Sequence, residues 1–193
     1  IVEATWLGHY EPFQNTTISS YVYEMMQKTG QNQLAEEYDL FPFEVQVLHV
    51  NRTICEKIMS LVRFSYGVNP IEDLRNKIRH TYDLHQLLKV SDIFTFFESP
   101  DFEAMLSLVG QDDIESFKSN NEWLAFHPKE AILFREPGAT WKALENGYTN
   151  EFGNLVYGAL PSSNEILETI LKISQRLQDV KWNIEIPKKG ETK

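Results

Sequence analysis

Pro42-Phe43-Glu44-Val45-Gln46-Val47-Leu48-His49-Val50-Asn51-Arg52-Thr53-Ile54-Cys55-Glu56-Lys57-Ile58 is the stretch on which the fold turns. From Phe43 to Leu48 apolar and polar side chains alternate, the period of a strand with one face covered. Past Asn51 the period changes. Ile54, Ile58, Leu61 and Val62 recur at the spacing of one helix face, and Asn51 is placed as an N-cap for the first free amides. This helix is expected to run to about Tyr66, where Gly67 and the Asn69-Pro70 pair stop it. A strand leading into a helix fixes a mixed chain, and the flanks decide the balance.

Upstream, Ile1 to Leu7 alternates like a further strand, Pro12 and Gln14-Asn15-Thr16-Thr17 read as a loop, and Ile18, Tyr21, Val22 and Met25 predict a helix over 18–29. Downstream, Ile71, Leu74, Ile78 and Tyr82 start an apolar stripe that predicts one helix to about Leu88. Ile93 to Phe97 and Phe102 to Val109 predict two more helices, parted at Ser99-Pro100. Asp112-Asp113 and Ser119-Asn120-Asn121 bracket a predicted loop. Ser162 and Glu165 have capping-box spacing, and Ile166, Ile170, Ile173 and Leu177 make the last helix the most regular in the chain. The tail from Lys188 is predicted to be disordered. Few alternating segments and many helical stripes give an α+β fold, mainly helical, with a short sheet.

The 193 residues suffice for one domain or two small ones, and 42% hydrophobic with 24% charged residues is an ordinary globular composition. No stretch approaches the roughly 20 uninterrupted apolar residues that a membrane helix needs. The first residues carry neither an initiator Met nor the regions of a signal peptide, so the chain is expected to start inside a longer protein. Cys55 is the single cysteine and lies on a helical pattern. It reads as a buried structural thiol, in keeping with a reducing cytoplasm. A net charge of -10 argues against coating nucleic acid by bulk electrostatics, so any such contact must be local. The basic residues are uneven: Arg52, Lys57, Arg63, Arg75, Lys77 and Arg79 fall in one short interval, as a solvated helix surface or as such a local nucleic-acid contact.

No Gly-x-Gly-x-x-Gly or Walker phosphate loop occurs. The histidines His9, His49, His80, His85 and His127 lack companion cysteines at zinc spacing. No nucleophile elbow supports a serine triad. Arg52-Thr53-Ile54-Cys55-Glu56-Lys57-Ile58 stands out, followed after a turn by Lys77-Ile78-Arg79-His80-Thr81-Tyr82-Asp83-Leu84.

An Arg-Thr-x-x-Glu-Lys-Ile run, then an Arg-rich helix with Tyr-Asp-Leu, resembles the third and fourth motifs of the AbiEii/AbiGii toxin family of nucleotidyltransferases. Pro42-Phe43-Glu44-Val45, His127-Pro128 and Leu155-Val156-Tyr157-Gly158 extend the resemblance over most of the chain. It implies a polymerase-β-like catalytic core in a bacterial toxin–antitoxin or abortive-infection protein. Residues 1–66 would be the C-terminal part of that core, 67–187 a helical domain, and 188–193 a tail. The implied activity is transfer of an NMP from an NTP to RNA, with tRNA foremost, using Mg2+. An antitoxin protein is the implied partner. The family's essential lysine and aspartate match Lys57 and Asp83 as catalytic residues, while Arg52 and Glu56 join Lys57 as nucleotide-binding positions. Glu3, on the opening strand, is the one candidate metal ligand within the chain, because strand-borne carboxylates complete the metal set in such cores. The family's first motif, a Gly-Gly or Gly-Ser turn followed by Asp-x-Asp, has no counterpart here. Asp101-Phe102-Glu103 has only the bare spacing. The motif is expected upstream of Ile1, and the chain alone is expected to be inactive.

Plain readings stand beside these. Glu56 and Lys57 read equally as surface charges, and Asp83 as an ion pair with Arg79 one helical turn back. A noncatalytic helical module that binds an antitoxin or another chain is the alternative function, with Phe94, Phe96 and Phe97 as its surface or as plain core. A phosphate-binding protein without transfer activity is a third.

Overall fold

The computed structural model describes residues 12–115 and 121–186, so the expectations for Ile1–Leu7, for Glu3 and for the tail from Lys188 lie outside the described residues. The fold is α+β and mainly helical, with a two-stranded antiparallel sheet. Two compact units separate between His49 and Val50.

The smaller unit holds β1 (Phe13–Ile18), α1 (Tyr21–Lys28), α2 (Asn32–Glu37) and β2 (Phe43–Leu48). β2 keeps the bounds that its alternation predicts. β1 corrects the sequence reading, which placed a loop over Gln14–Thr17. Those polar residues pair antiparallel with β2 in a register running from Phe13 opposite Leu48 to Ile18 opposite Phe43. Their backbone groups are satisfied by a partner distant in sequence, and Thr16, Thr17 and Ile18 suit a pleated strand. Helix α1 starts three residues later than expected, because Ser20 caps it by accepting from the Tyr23 amide.

The larger unit opens with α3 (Val50–Phe64), whose Ile54, Ile58, Leu61 and Val62 are fully buried. The helix begins one residue before the expected cap, so Asn51 lies inside its first turn. At the far end the Ser65 and Tyr66 amides bond back to Leu61, Val62 and Arg63. The single helix expected from Ile71 to Leu88 is two helices, α4 (Pro70–Arg75) and α5 (Arg79–Leu88). Between them the ladder tightens to i→i+3 bonds, Lys77 to Leu74, Ile78 to Arg75 and His80 to Lys77. The apolar stripe continues through this turn, which hides it from periodicity.

α6 (Ser91–Glu98) and α7 (Pro100–Glu115) part at Ser99-Pro100 as expected. α7 continues through Asp112 and Asp113 to Glu115, where a loop was expected, and 116–120 lie outside the described residues. Asp112 is ion-paired to Arg52 of α3, and Asp113 is buried, so tertiary contacts hold the last turn. Beyond it come α8 (Ile132–Arg135), α9 (Pro137–Asn146), a π-helical turn over Gly147–Phe152, and α10 (Ser163–Gln178). The capping box of α10 is complete, with Ser162 and Glu165 each bonding the other's amide. Ile166, Ile170, Ile173 and Leu177 form its buried stripe. Burying four such side chains supplies roughly 6–12 kcal/mol of gross hydrophobic stabilisation. Phe96, Phe97 and Phe102 pack edge to face within the same core. Phe94 is partly buried, with the Lys172 ammonium over its ring.

Candidate functional site

Burial of the α3 stripe against α5 decides where the motif side chains go. Ile54, Ile58 and Leu61 face the core together with Thr81 and Leu84 of α5. Lys57 lies about 40° around the helix from Leu61. Its stem therefore runs along the edge of the packed face and its ammonium emerges at the α3–α5 seam. There the Lys57 Nζ donates to Asp83 Oδ2 at 2.7 Å. Arg79, one turn before Asp83, brings its Nε to 3.7 Å from the same oxygen. Both plain and functional expectations for Asp83 thus meet at one carboxylate, which a cross-helix lysine and a local arginine share. Lys57 and Asp83 side chains are 19% and 25% exposed, so the pair is partly withdrawn from water yet reachable.

A further lysine and a histidine lie close by. The Lys77 ammonium sits 4.9 Å over the Phe64 ring, and His80 opens α5 beside Arg79. His80 Nδ1 is buried without a hydrogen-bond partner. Burial lowers its pKa to about 4, helped by the charge of Lys57, opposed by Asp83, and helped again by Lys77 and Arg79. The imidazole is neutral at pH 7. Lys57, Lys77 and Arg79 outnumber Asp83, which makes this seam locally positive on a chain of net charge -10.

Asp83 also borders a cavity of about 530 Å³. Arg79, Tyr82 and Asp83 line it from α5, and Phe152, Val156 and Tyr157 from the segment after α9. That segment is anchored from below: the Tyr148 hydroxyl donates to the Pro161 carbonyl at 2.9 Å, and Trp141 Nε1 donates to Ser163.

Arg52 and Glu56 go elsewhere. Arg52 is buried, its Nε 2.9 Å from Glu56 and its guanidinium 2.6 Å from Asp112 on α7. Helical geometry separates Glu56 from Lys57 by about 100°, so the motif divides between the α3–α7 contact and the α3–α5 seam. Cys55 is buried and its thiol pKa is pushed far up by burial, then by Glu56, so it is an inert core group.

Among the described residues no three His, Cys, Asp or Glu side chains gather to hold a metal ion. Asp83 with its cationic neighbours does not by itself make a Mg2+ site, and Glu3 lies outside the described residues. Sequence reasoning singled out Lys57, Asp83 and the Leu155-Val156-Tyr157-Gly158 segment, but gave His80 no role and did not foresee that the segment would meet α5 in a cavity.

Residues 2–172 match the family described as nucleotidyl transferase AbiEii toxin, Type IV TA system. The chain belongs to this family. The AbiEii match spans both motif helices and the cavity wall. No curated protein and no solved structure matches the chain. Among the described residues no helix of this AbiEii-family chain is long and apolar enough to cross a membrane.

Proposed function

We propose that this chain supplies the lysine–aspartate part of an active site that transfers an NMP from an NTP to RNA, with tRNA as the acceptor, in the bacterial cytoplasm. The observation that carries the proposal is the Lys57–Asp83 pair, which brings residues 26 positions apart to 2.7 Å at a locally cationic seam beside an open cavity. Membership of a nucleotidyl transferase toxin family supports it, as does the chemistry of the groups.

Nucleotidyl transfer forms a bond from an acceptor hydroxyl oxygen to the α-phosphorus and breaks the bond to the β-phosphate. Pyrophosphate leaves and the hydroxyl proton is lost. Positioning and charge neutralisation are the main demands. A triphosphate entering the seam offers Lys57 oxygens that compete with Asp83, and Lys77 adds charge beside it. Asp83, released from Lys57, is then a carboxylate able to orient the acceptor hydroxyl. His80, neutral at pH 7, adds no positive charge that would hold product. Mg2+ when bound would offset triphosphate charge, and the carboxylates to hold it would come from outside the described residues, with Glu3 a candidate. Transfer also needs the glycine turn and Asp-x-Asp, which these 193 residues do not contain, so the chain alone is inactive on this reading. Arg52 and Glu56 hold α3 in place and act on the nucleotide through Lys57. An antitoxin is the regulating partner.

The test is transfer of labelled NMP to total tRNA by the intact full-length protein. Lys57→Ala and Asp83→Ala should each lower the rate at least ~100-fold. Full activity in both variants would remove the pair from the site. Of the three rings expected on the surface of a noncatalytic interaction module, Phe96 and Phe97 are core and Phe94 is partly buried.

A further inference from the structure

The Leu155-Val156-Tyr157-Gly158 segment has no part in the lysine–aspartate chemistry, yet Leu155, Val156 and Tyr157 form the wall of the cavity that faces α5. Tyr157 is completely exposed, and Gly158 follows it at φ +101°, a left-handed conformation that side chains other than glycine rarely adopt. The backbone turns there and leaves an aromatic ring at the cavity mouth with nothing of the protein over it. A second aromatic surface lies inside. Tyr82 packs against Phe152 with ring centres 5.4 Å apart, and Phe152 continues into Tyr148 at 5.9 Å and from there into Trp141. The inner rings are thus backed by the core, while Tyr157 stands in water.

The charges on the lining decide what fits. Among the described residues Arg79 is the one cation on the lining, against the carboxylates of Asp83 and Glu151, with the amide of Asn76 as a neutral donor and acceptor. A triphosphate would meet net negative charge. A single phosphodiester would find one guanidinium, and a base would find flat aromatic faces with amide and carboxylate groups to meet its edge. The volume, about 530 Å³, lies in the range of roughly 300–1,000 Å³ usual for small-molecule sites.

We infer that this cavity holds one unpaired nucleotide of the acceptor strand, its base against Tyr157 and Tyr82 and its phosphate on Arg79, with the NTP on the Lys57 and Lys77 side of Asp83. Asp83 borders both sites, so a nucleotide in the cavity presents its sugar hydroxyl to the Lys57–Asp83 pair. The inference rests on the transferase proposal for the strand's role, while the binding event itself is independent of transfer.

Binding of a fluorescein-labelled single-stranded RNA hexamer to the full chain, read by anisotropy, tests it, with a fluorescent ATP analogue as the second probe. Tyr157→Ala should weaken RNA binding by about 5-fold to 150-fold, the range for loss of one base–aromatic stack, and leave the ATP analogue unchanged. Tyr157→Phe should bind RNA like the parent, since the ring and not the hydroxyl does the stacking. Arg79→Gln should weaken RNA and reduce its salt dependence. Tyr157 is completely exposed, so Tyr157→Ala and Tyr157→Phe keep the fold. Unchanged RNA affinity in Tyr157→Ala, or a loss that falls on the ATP analogue instead, overturns the inference. RNA loss in Tyr157→Ala with transfer intact in Lys57→Ala and Asp83→Ala upholds the subsite and removes the transferase proposal. The reverse pattern overturns the subsite alone.

Discussion

Removing either member of the Lys57–Asp83 pair should have unequal effects on the folded protein, and the inequality follows from the third partner. At 2.7 Å the Coulomb attraction is about 1.5 kcal/mol in water and about 6 kcal/mol at an effective dielectric near 20. Desolvation of two partly exposed groups and immobilisation of the lysine stem offset most of it, leaving a net coupling of roughly 1 kcal/mol. Lys57→Ala leaves Asp83 with Arg79 still 3.7 Å away, so the carboxylate keeps a counter-charge and the cost should be about 1 kcal/mol or less. Asp83→Ala leaves Lys57 and Arg79 facing each other across the seam with Lys77 nearby, and should cost more, roughly 1–2 kcal/mol. His80 reports the same field directly. Its pKa of about 4 is held down by burial and by Lys57 and held up by Asp83. Lys57→Ala should raise it and Asp83→Ala should lower it further. Urea denaturation gives the stabilities, and proton NMR titration of the imidazole gives the pKa. Equal costs in the two variants, or a His80 pKa that moves the same way in both, would refute the reasoning.

Arg52→Ala should destabilise far more, by about 3–5 kcal/mol, because it leaves Asp112 largely buried beside α3 without its cation; a thermal melt that shifts by only a degree or two would show the guanidinium to be dispensable. Stability should fall as pH drops from 6.5 toward 4. His80 and His85 both have lowered folded-state values, His85 chiefly through burial and then Lys89, opposed by Glu165 and Glu168, so in that window the unfolded chain binds more protons. Each histidine contributes at most about 1.4 kcal/mol per pH unit. Comparing urea midpoints at pH 7.5 and 5 for the parent, His80→Asn and His85→Gln checks this, with a smaller acid loss expected in each variant.

Local pattern made some elements legible and distance hid the others. β2 and α10 are written in their own residues, the first in strict alternation from Phe43 to Leu48, the second in an apolar stripe behind a complete capping box. β1 is not, because Gln14-Asn15-Thr16-Thr17 becomes a strand only through hydrogen bonds to β2. The break at 76–78 is invisible for a different reason. Ile78 keeps the apolar rhythm while the backbone bonds change from i→i+4 to i→i+3. At the site, Lys57 and Asp83 were singled out by resemblance, since spacing alone allowed each a purely local explanation. Their meeting depends on how α3 and α5 cross, and the cavity depends on bringing the residues after α9 to α5.

The Arg-Thr-x-x-Glu-Lys run shows why a motif is not a site until it is placed on a helix. Arg52 and Glu56 are one turn apart and share a face, about 40° from each other, whereas Lys57 lies about 140° from Arg52. One linear string therefore serves two neighbours. Its first half is satisfied internally, Arg52 binding Glu56 and Asp112 in the contact with α7. Its last residue is turned to α5 and to solvent. Arg52 is too buried to swing toward a phosphate at the seam without giving up its ion pairs with Glu56 and Asp112. Lys57 carries no such burden, since Arg79 stands ready to keep Asp83 company when the ammonium moves. What links the two halves is the rigidity of α3: with Arg52 fixed to α7 and the Ile54-Ile58-Leu61 stripe locked in the core, the helix has no freedom to roll, and Lys57 is held at the seam.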